Sequence, residues 1–230
     1  MLTIAGFVSG LTALRFALDG RWAGVIVLIA VAAALDGRTA RRFKTQSAFG
    51  AALDSLSDLV VFGVVPALCL FVWALQDSGN IAWAATLFYA VSIALRLARF
   101  DSELPNPPDY AANYFTGIPA PAAGFLVLMP IVVDLQFGLE IVRQASYVSV
   151  WLVLIGAGAV STLPTFAGKK LKLPVDTVLP VLALVGLVGA AIVTEPWVTY
   201  LVVATVYVIS LPISALRFAR EKSAQAPSDS

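Results

Sequence analysis

Three aspartates, Asp36, Asp54 and Asp58, fall within "LDGRTARRFKTQSAFGAALDSLSD", residues 35–58, in or beside very apolar sequence. Asp54 and Asp58 are four residues apart. On a helix that spacing puts both carboxylates on one face, one turn apart, with Gly50 a turn earlier on the same face. Asp36 falls near the end of the preceding apolar run, beside Gly37. Two adjacent antiparallel helices would therefore bring all three acids together. Like charges that close repel, and one protonates unless a cation lies between them. All-oxygen ligands suit a hard cation, Mg²⁺, Mn²⁺ or Ca²⁺, and Mg²⁺ characteristically combines a few carboxylates with substrate phosphates. The basic run "RTARRFK", residues 38–44, would suit a phosphate-bearing substrate. A plainer alternative pairs the acids with Arg38, Arg41 or Arg42 at a membrane edge. It suits Asp36 better than Asp54 and Asp58, which fall two to three turns inside an apolar span, where ionisable residues point to function.

The elements that must position these acids are membrane helices. The chain has 230 residues, 60% of them hydrophobic and only 13% charged, which is far from the composition of an ordinary soluble domain. It reads as a polytopic membrane protein. Histidine is absent, which removes Ser-His-Asp and Cys-His catalysis and histidine metal sites. The single cysteine, Cys69, has no partner for an internal disulfide and reads as a buried apolar residue. A net charge of +1 implies no nucleic-acid partner. The N-terminus lacks the basic start of a signal peptide.

Apolar runs of roughly 20 residues mark transmembrane helices. The pattern predicts about eight, Leu2–Leu18, Trp22–Ala40, Ser47–Leu75, Ile81–Arg99, Ile118–Leu135, Tyr147–Leu163, Val175–Val193 and Pro196–Leu216. The loops after the second, fourth, sixth and eighth carry most of the basic residues, including Arg41, Arg42, Arg96, Arg99, Lys169, Lys170 and Lys172. The positive-inside rule makes that side, and both termini, cytoplasmic. One membrane domain over 1–218 and a polar, disordered cytoplasmic tail over 219–230 follow. The stretch from Asp101 to Pro121, rich in Pro, Asn and Asp, reads as irregular.

Asp36-Gly37, Ala40-Arg41, Gly50, Asp54 and Asp58 fall without a gap on D-x2-D-G-x2-A-R-x8-G-x3-D-x3-D, so the chain resembles the CDP-alcohol phosphatidyltransferases. The resemblance implies a six-helix core and a cytoplasm-facing active site in the bacterial inner membrane. It implies a divalent metal, Mg²⁺ or Mn²⁺, held by Asp36 and Asp54 with Asp58 beside them, and Asp58 as the base on the acceptor hydroxyl. Gly37, Ala40, Arg41 and Gly50 would contact the cytidine nucleotide of a CDP-linked lipid. A homodimer is also implied. At one motif position the chain departs: Ala33 stands where the first aspartate belongs. The metal site would then be one carboxylate short, and activity weakened or lost.

The stretches "ALRLARFD", 94–101, "FTGIPAPAAG", 115–124, and "PTFAGKKLKLP", 164–174, are similar to family members that accept serine. The implied reaction is phosphatidyl transfer from CDP-diacylglycerol to serine, giving phosphatidylserine and CMP. Another acceptor (glycerol phosphate, inositol phosphate or choline) stays open, as does a non-catalytic homologue. Arg96 and Arg99, three apart at a helix end, could hold serine's carboxylate or the lipid phosphate, or simply anchor the helix on the positive side. The lysines at 169–172 read as contacts to anionic membrane lipids.

Overall fold

A computed structural model describes residues 2–42, 48–102, 114–166 and 178–225. The chain divides into two compact units, Met1–Glu103 with Ile118–Ser161, and Leu104–Gly117 with Thr162–Ser230.

The first unit opens with a hairpin of two helices, α1 (Leu2–Leu18) and α2 (Trp22–Arg42). The connection turns through Gly20, whose φ of +70° favours glycine. The buried stripe of α1 is Thr3, Gly6, Gly10, Ala13 and Ala17, all small and spaced alternately by three and four. Lipid offers no hydrophobic drive for helix association, so close packing of small residues supplies it. Gly10 shows how close: a Cβ there would lie 2.8 Å from Val61 Cγ2.

The third helix, α3, runs over 48–75 and changes its winding on the way. Ala48–Asp58 is α-helical, Leu59–Val64 is a π-helical stretch, Val65–Leu70 is α-helical and Phe71–Leu75 is again π-helical. Pro66 accounts for the first change. It has no N–H to give the carbonyl of Phe62, four residues back, and its ring crowds that carbonyl. The turn before it widens, and Tyr89 Oη donates to the Phe62 carbonyl at 2.8 Å. Tyr89 belongs to α4 (Gly79–Ser102). The next span, α5 (Ala120–Phe137), starts beyond Pro119 and bends at Leu128. Here Pro130 leaves the carbonyl of Leu126 without its helical donor, and Trp151 Nε1 supplies one at 3.1 Å. Trp151 lies on α6 (Ala145–Val160), which follows a 3₁₀ turn, Glu140–Arg143. The core between these helices holds Ile29, Phe62, Leu70, Tyr89, Ile93, Leu128, Ile131 and Leu152, all fully buried.

The second unit contains β1 (Tyr114–Thr116), paired antiparallel with β2 (Pro164–Phe166), and the helices α7 (Val178–Thr194) and α8 (Pro196–Gln225). Two expectations are corrected here. Residues 114–116, expected in an irregular stretch, form a strand, because the β-prone Tyr-Phe-Thr finds a partner some 50 residues on in sequence. The pair closes with Thr165 Oγ1 donating to the Gly117 carbonyl at 2.9 Å. Residues 219–225, expected in a disordered tail, continue α8 to Gln225, and Tyr114 Oη donates to Glu221 Oε1 at 3.0 Å.

Apart from that strand pair, the described residues form an all-α polytopic membrane protein. Phe49–Leu75, Gly79–Phe100, Ala120–Phe137 and Pro196–Glu221 are long and apolar enough to cross a membrane. Leu2–Leu18, Trp22–Leu35, Ala145–Val160 and Ala183–Thr194 are shorter apolar helices.

Candidate functional site

Asp54 and Asp58 sit in the regular α-helical part of α3, both half-buried, with Gly50 half-buried a turn before them. The expected one-turn spacing on one face is therefore present. Phe49–Leu75 is long and apolar enough to cross a membrane, whose hydrocarbon core is about 30 Å thick. Asp54 and Asp58 fall five and nine residues inside that apolar stretch, about one and a half and two and a half turns. Ionisable residues inside such a stretch point to function.

A residue that the sequence reading missed joins them. Thr3 Oγ1, on the buried stripe of α1, donates to Asp54 Oδ1 at 3.4 Å. Thr3 meets Asp54 and Gly10 meets Val61. Both helices advance by seven residues between these contacts, so α1 and α3 run parallel and in register. The signal was the small-residue stripe, which marks the face of α1 that another helix approaches. Ser57, between the two acids in sequence, is also buried, and its Oγ has no hydrogen-bond partner among the described residues.

Asp36, Gly37, Ala40 and Arg41 occupy the last turns of α2, and their side chains lie outside the described residues. Among the described residues, no three acids or other metal-ligating side chains gather. The third acid of the expected trio, Asp36, is one of the residues outside that description. Ala33, three residues before it, is half-buried on α2. The lysines at 169–172 also lie outside the described residues.

Arg96 and Arg99 take up backbone carbonyls. Arg96 is buried, and its Nε donates to the Ile118 carbonyl at 2.8 Å. Arg99 Nη1 donates to the carbonyls of Val160, at 2.8 Å, and Ser161, at 3.4 Å. Val160 ends α6, and Pro164 cannot give its carbonyl a continuing helical N–H. The two arginines therefore tie the end of α4 to the start of α5 and the end of α6. Ile118 N donates in turn to the Gly158 carbonyl at 3.1 Å. The arrangement in the first part of α3 offers two half-buried carboxylates one turn apart, one of them held by a hydroxyl. Such a pair can bind a hard cation or take a proton from an incoming hydroxyl.

The family model for CDP-alcohol phosphatidyltransferase matches residues 1–163, and that for CDP-alcohol phosphatidyltransferase 2 matches 176–212. The chain is 34% identical to the CDP-diacylglycerol–serine O-phosphatidyltransferase of Mycobacterium tuberculosis (strain ATCC 25618 / H37Rv) over 218 residues, 93% of this chain and 76% of the relative. It is 37% identical to the protein of the same name in Helicobacter pylori (strain ATCC 700392 / 26695) over 141 residues, 60% of this chain and 57% of that one. With the Bacillus subtilis (strain 168) protein of that name it shares 33% identity over 132 residues, 56% of this chain and 72% of the relative.

Proposed function

The chain belongs to the CDP-alcohol phosphatidyltransferase family, and from that premise we propose that it transfers a phosphatidyl group from CDP-diacylglycerol to serine. The observation that carries the chemistry is the pair Asp54 and Asp58, half-buried and one turn apart on one helix. Relatives named for the serine reaction, similar over 93% of this chain, support the acceptor.

Serine's hydroxyl oxygen attacks the lipid-side phosphorus of the diphosphate. The bond from that phosphorus to the bridging oxygen breaks, and CMP leaves with the oxygen. Asp58 accepts the hydroxyl proton as the new P–O bond forms. Asp54, held by Thr3 Oγ1, contributes carboxylate oxygen to the same site. A divalent cation fits this all-oxygen donor set; Asp36, Asp54 and Asp58 would hold Mg²⁺ or Mn²⁺, which when bound neutralises the diphosphate charge. Gly37, Ala40, Arg41 and Gly50 form the nucleotide-facing surface in this reading. Arg96 and Arg99 hold the helix ends by which the acceptor arrives, and one of them binds serine's carboxylate or the lipid phosphate. An R96K variant that raises KM for serine more than KM for CDP-diacylglycerol would support that role.

Residues 1–218 act together as one catalytic membrane domain, a homodimer in the bacterial inner membrane, with the acids and both termini on the cytoplasmic side. The test is CMP release from purified protein with CDP-diacylglycerol and Mn²⁺ or Mg²⁺. Release that requires serine supports the proposal. Release that requires glycerol phosphate, inositol phosphate or choline instead reassigns the acceptor. A second reading, a weakened or non-catalytic homologue, is favoured by Ala33. Metal-dependent binding of CDP-diacylglycerol without CMP release would establish it, and A33D should then raise the rate. Ala33 is half-buried, so the added carboxylate does not have to displace a packed core.

A further inference from the structure

We propose that Tyr89 is a positioning residue for the two acids of α3. Its hydroxyl holds the widened turn that sets the direction in which Asp54 and Asp58 face. The inference rests on the reading above, in which these acids bind the metal and the acceptor proton.

The argument starts from Pro66. In an unbroken α-helix the Phe62 carbonyl would accept from residue 66, and proline has nothing to give. A buried carbonyl without a donor is costly. Here it is satisfied across helices by Tyr89 Oη at 2.8 Å, with both Tyr89 and Phe62 fully buried. The π-helical stretch around that carbonyl, Leu59–Val64, begins at the residue after Asp58. π-Helical turns of this kind recur at functional sites. One residue more or less in such a turn rotates everything before it by about 100° relative to everything after it. The later part of α3 cannot turn to compensate, because Val61, Val65, Ala67, Cys69 and Leu70 are all buried. The acid-bearing end would have to turn, carrying Asp54 away from Thr3.

The turn is also enclosed. A Cβ on Gly63 would lie 3.2 Å from Ile93 Cβ, and one on Gly124 would lie 3.0 Å from Phe62 Cβ. Tyr89, Ile93 and Arg96 form one buried face of α4 at steps of four and three. The face that holds the widened turn is thus continuous with the face that holds the start of α5 through Arg96. A second lock of the same chemistry provides a control. Trp151 supplies the donor that Pro130 denies to Leu126, but on α5, which carries none of the acids.

The experiment is a Mn²⁺ titration of the purified full chain in detergent, read by electron paramagnetic resonance without lipid substrate, alongside thermal unfolding and CMP release. Y89F keeps the ring and removes the hydroxyl; it should weaken Mn²⁺ binding by about 10-fold or more, the range seen when a group that orients a metal ligand is lost. P66A restores an N–H for Phe62 and lets the turn close; it should weaken Mn²⁺ binding similarly, and adding Y89F to it should cost less than about twofold more. W151F should lower thermal stability yet leave Mn²⁺ affinity within about twofold. Y89F binding Mn²⁺ as tightly as the unaltered chain overturns the inference, and so does W151F weakening it equally. An unaltered chain that binds Mn²⁺, shows these differences and releases no CMP overturns the catalytic reading alone. An unaltered chain that binds no Mn²⁺ overturns both.

Discussion

The first part of α3, Ala48–Asp58, and the part from Leu59 to Leu75 belong to one helix and are built on opposite plans. The first is regularly wound and open, with Phe49 76% and Leu56 61% exposed and both acids half-buried. The second is irregularly wound and enclosed, with Val61, Phe62, Val65, Ala67, Cys69, Leu70 and Leu75 at most 1% exposed. A metal and a charged substrate need an open end that water and ligands can reach. Direction requires a rigid base, and only dense packing gives rigidity. The helix therefore keeps its charge where it is open and its rigidity where it is closed.

Substitutions in the two parts should fail differently. The largest effect is expected at the open end: D58N should lower CMP release by about 10²- to 10⁴-fold, the usual worth of a general base. Its thermal unfolding midpoint should stay unchanged, and a large drop there would break the comparison. In the enclosed part, G124V should press on Phe62, at the 3.0 Å approach noted above, and cost about 1–3 kcal/mol of stability. The surviving folded fraction should lose far less turnover than D58N does. Thermal unfolding with activity normalised to folded protein checks both. Smaller still, T3V removes the hydroxyl from Asp54 and should loosen Mn²⁺ about fivefold, the equivalent of about 1 kcal/mol for one hydrogen bond, with T3S restoring it. The smallest effect belongs to the pair Asp134 and Arg143, joined at 3.2 Å on an exposed side chain. D134N should cost less than about 1 kcal/mol and leave CMP release unaltered.

Much of this was legible in the sequence because it depends on spacing along one helix. Asp54 and Asp58, with Gly50, needed only the helical repeat to share a face. The positions of α1 to α8 followed from runs of apolar residues against the thickness of a bilayer. Thr3 was not legible as a partner of Asp54, since that contact depends on how α1 and α3 slide past one another. The prolines gave a signal that went unread: Pro66 and Pro130 inside apolar spans each imply an orphaned carbonyl four residues earlier. Arg96 and Arg99 looked like ligand-binding or anchoring residues, and only the meeting of α4, α5 and α6 revealed the carbonyls they hold.

Composition and local spacing, by themselves, determined that this chain lives in a membrane, where its helices run and which acids share a turn. These properties follow from the transfer cost of side chains and from the 3.6-residue repeat, and both act within a single segment. The tertiary structure alone decided what orients the acids: Thr3 on Asp54, and Tyr89 on the carbonyl that Pro66 leaves without a donor. Those bonds join residues 51 and 27 positions apart. A hydrogen bond requires its atoms within about 3.5 Å, and only the packing of whole helices against one another brings such distant residues that close.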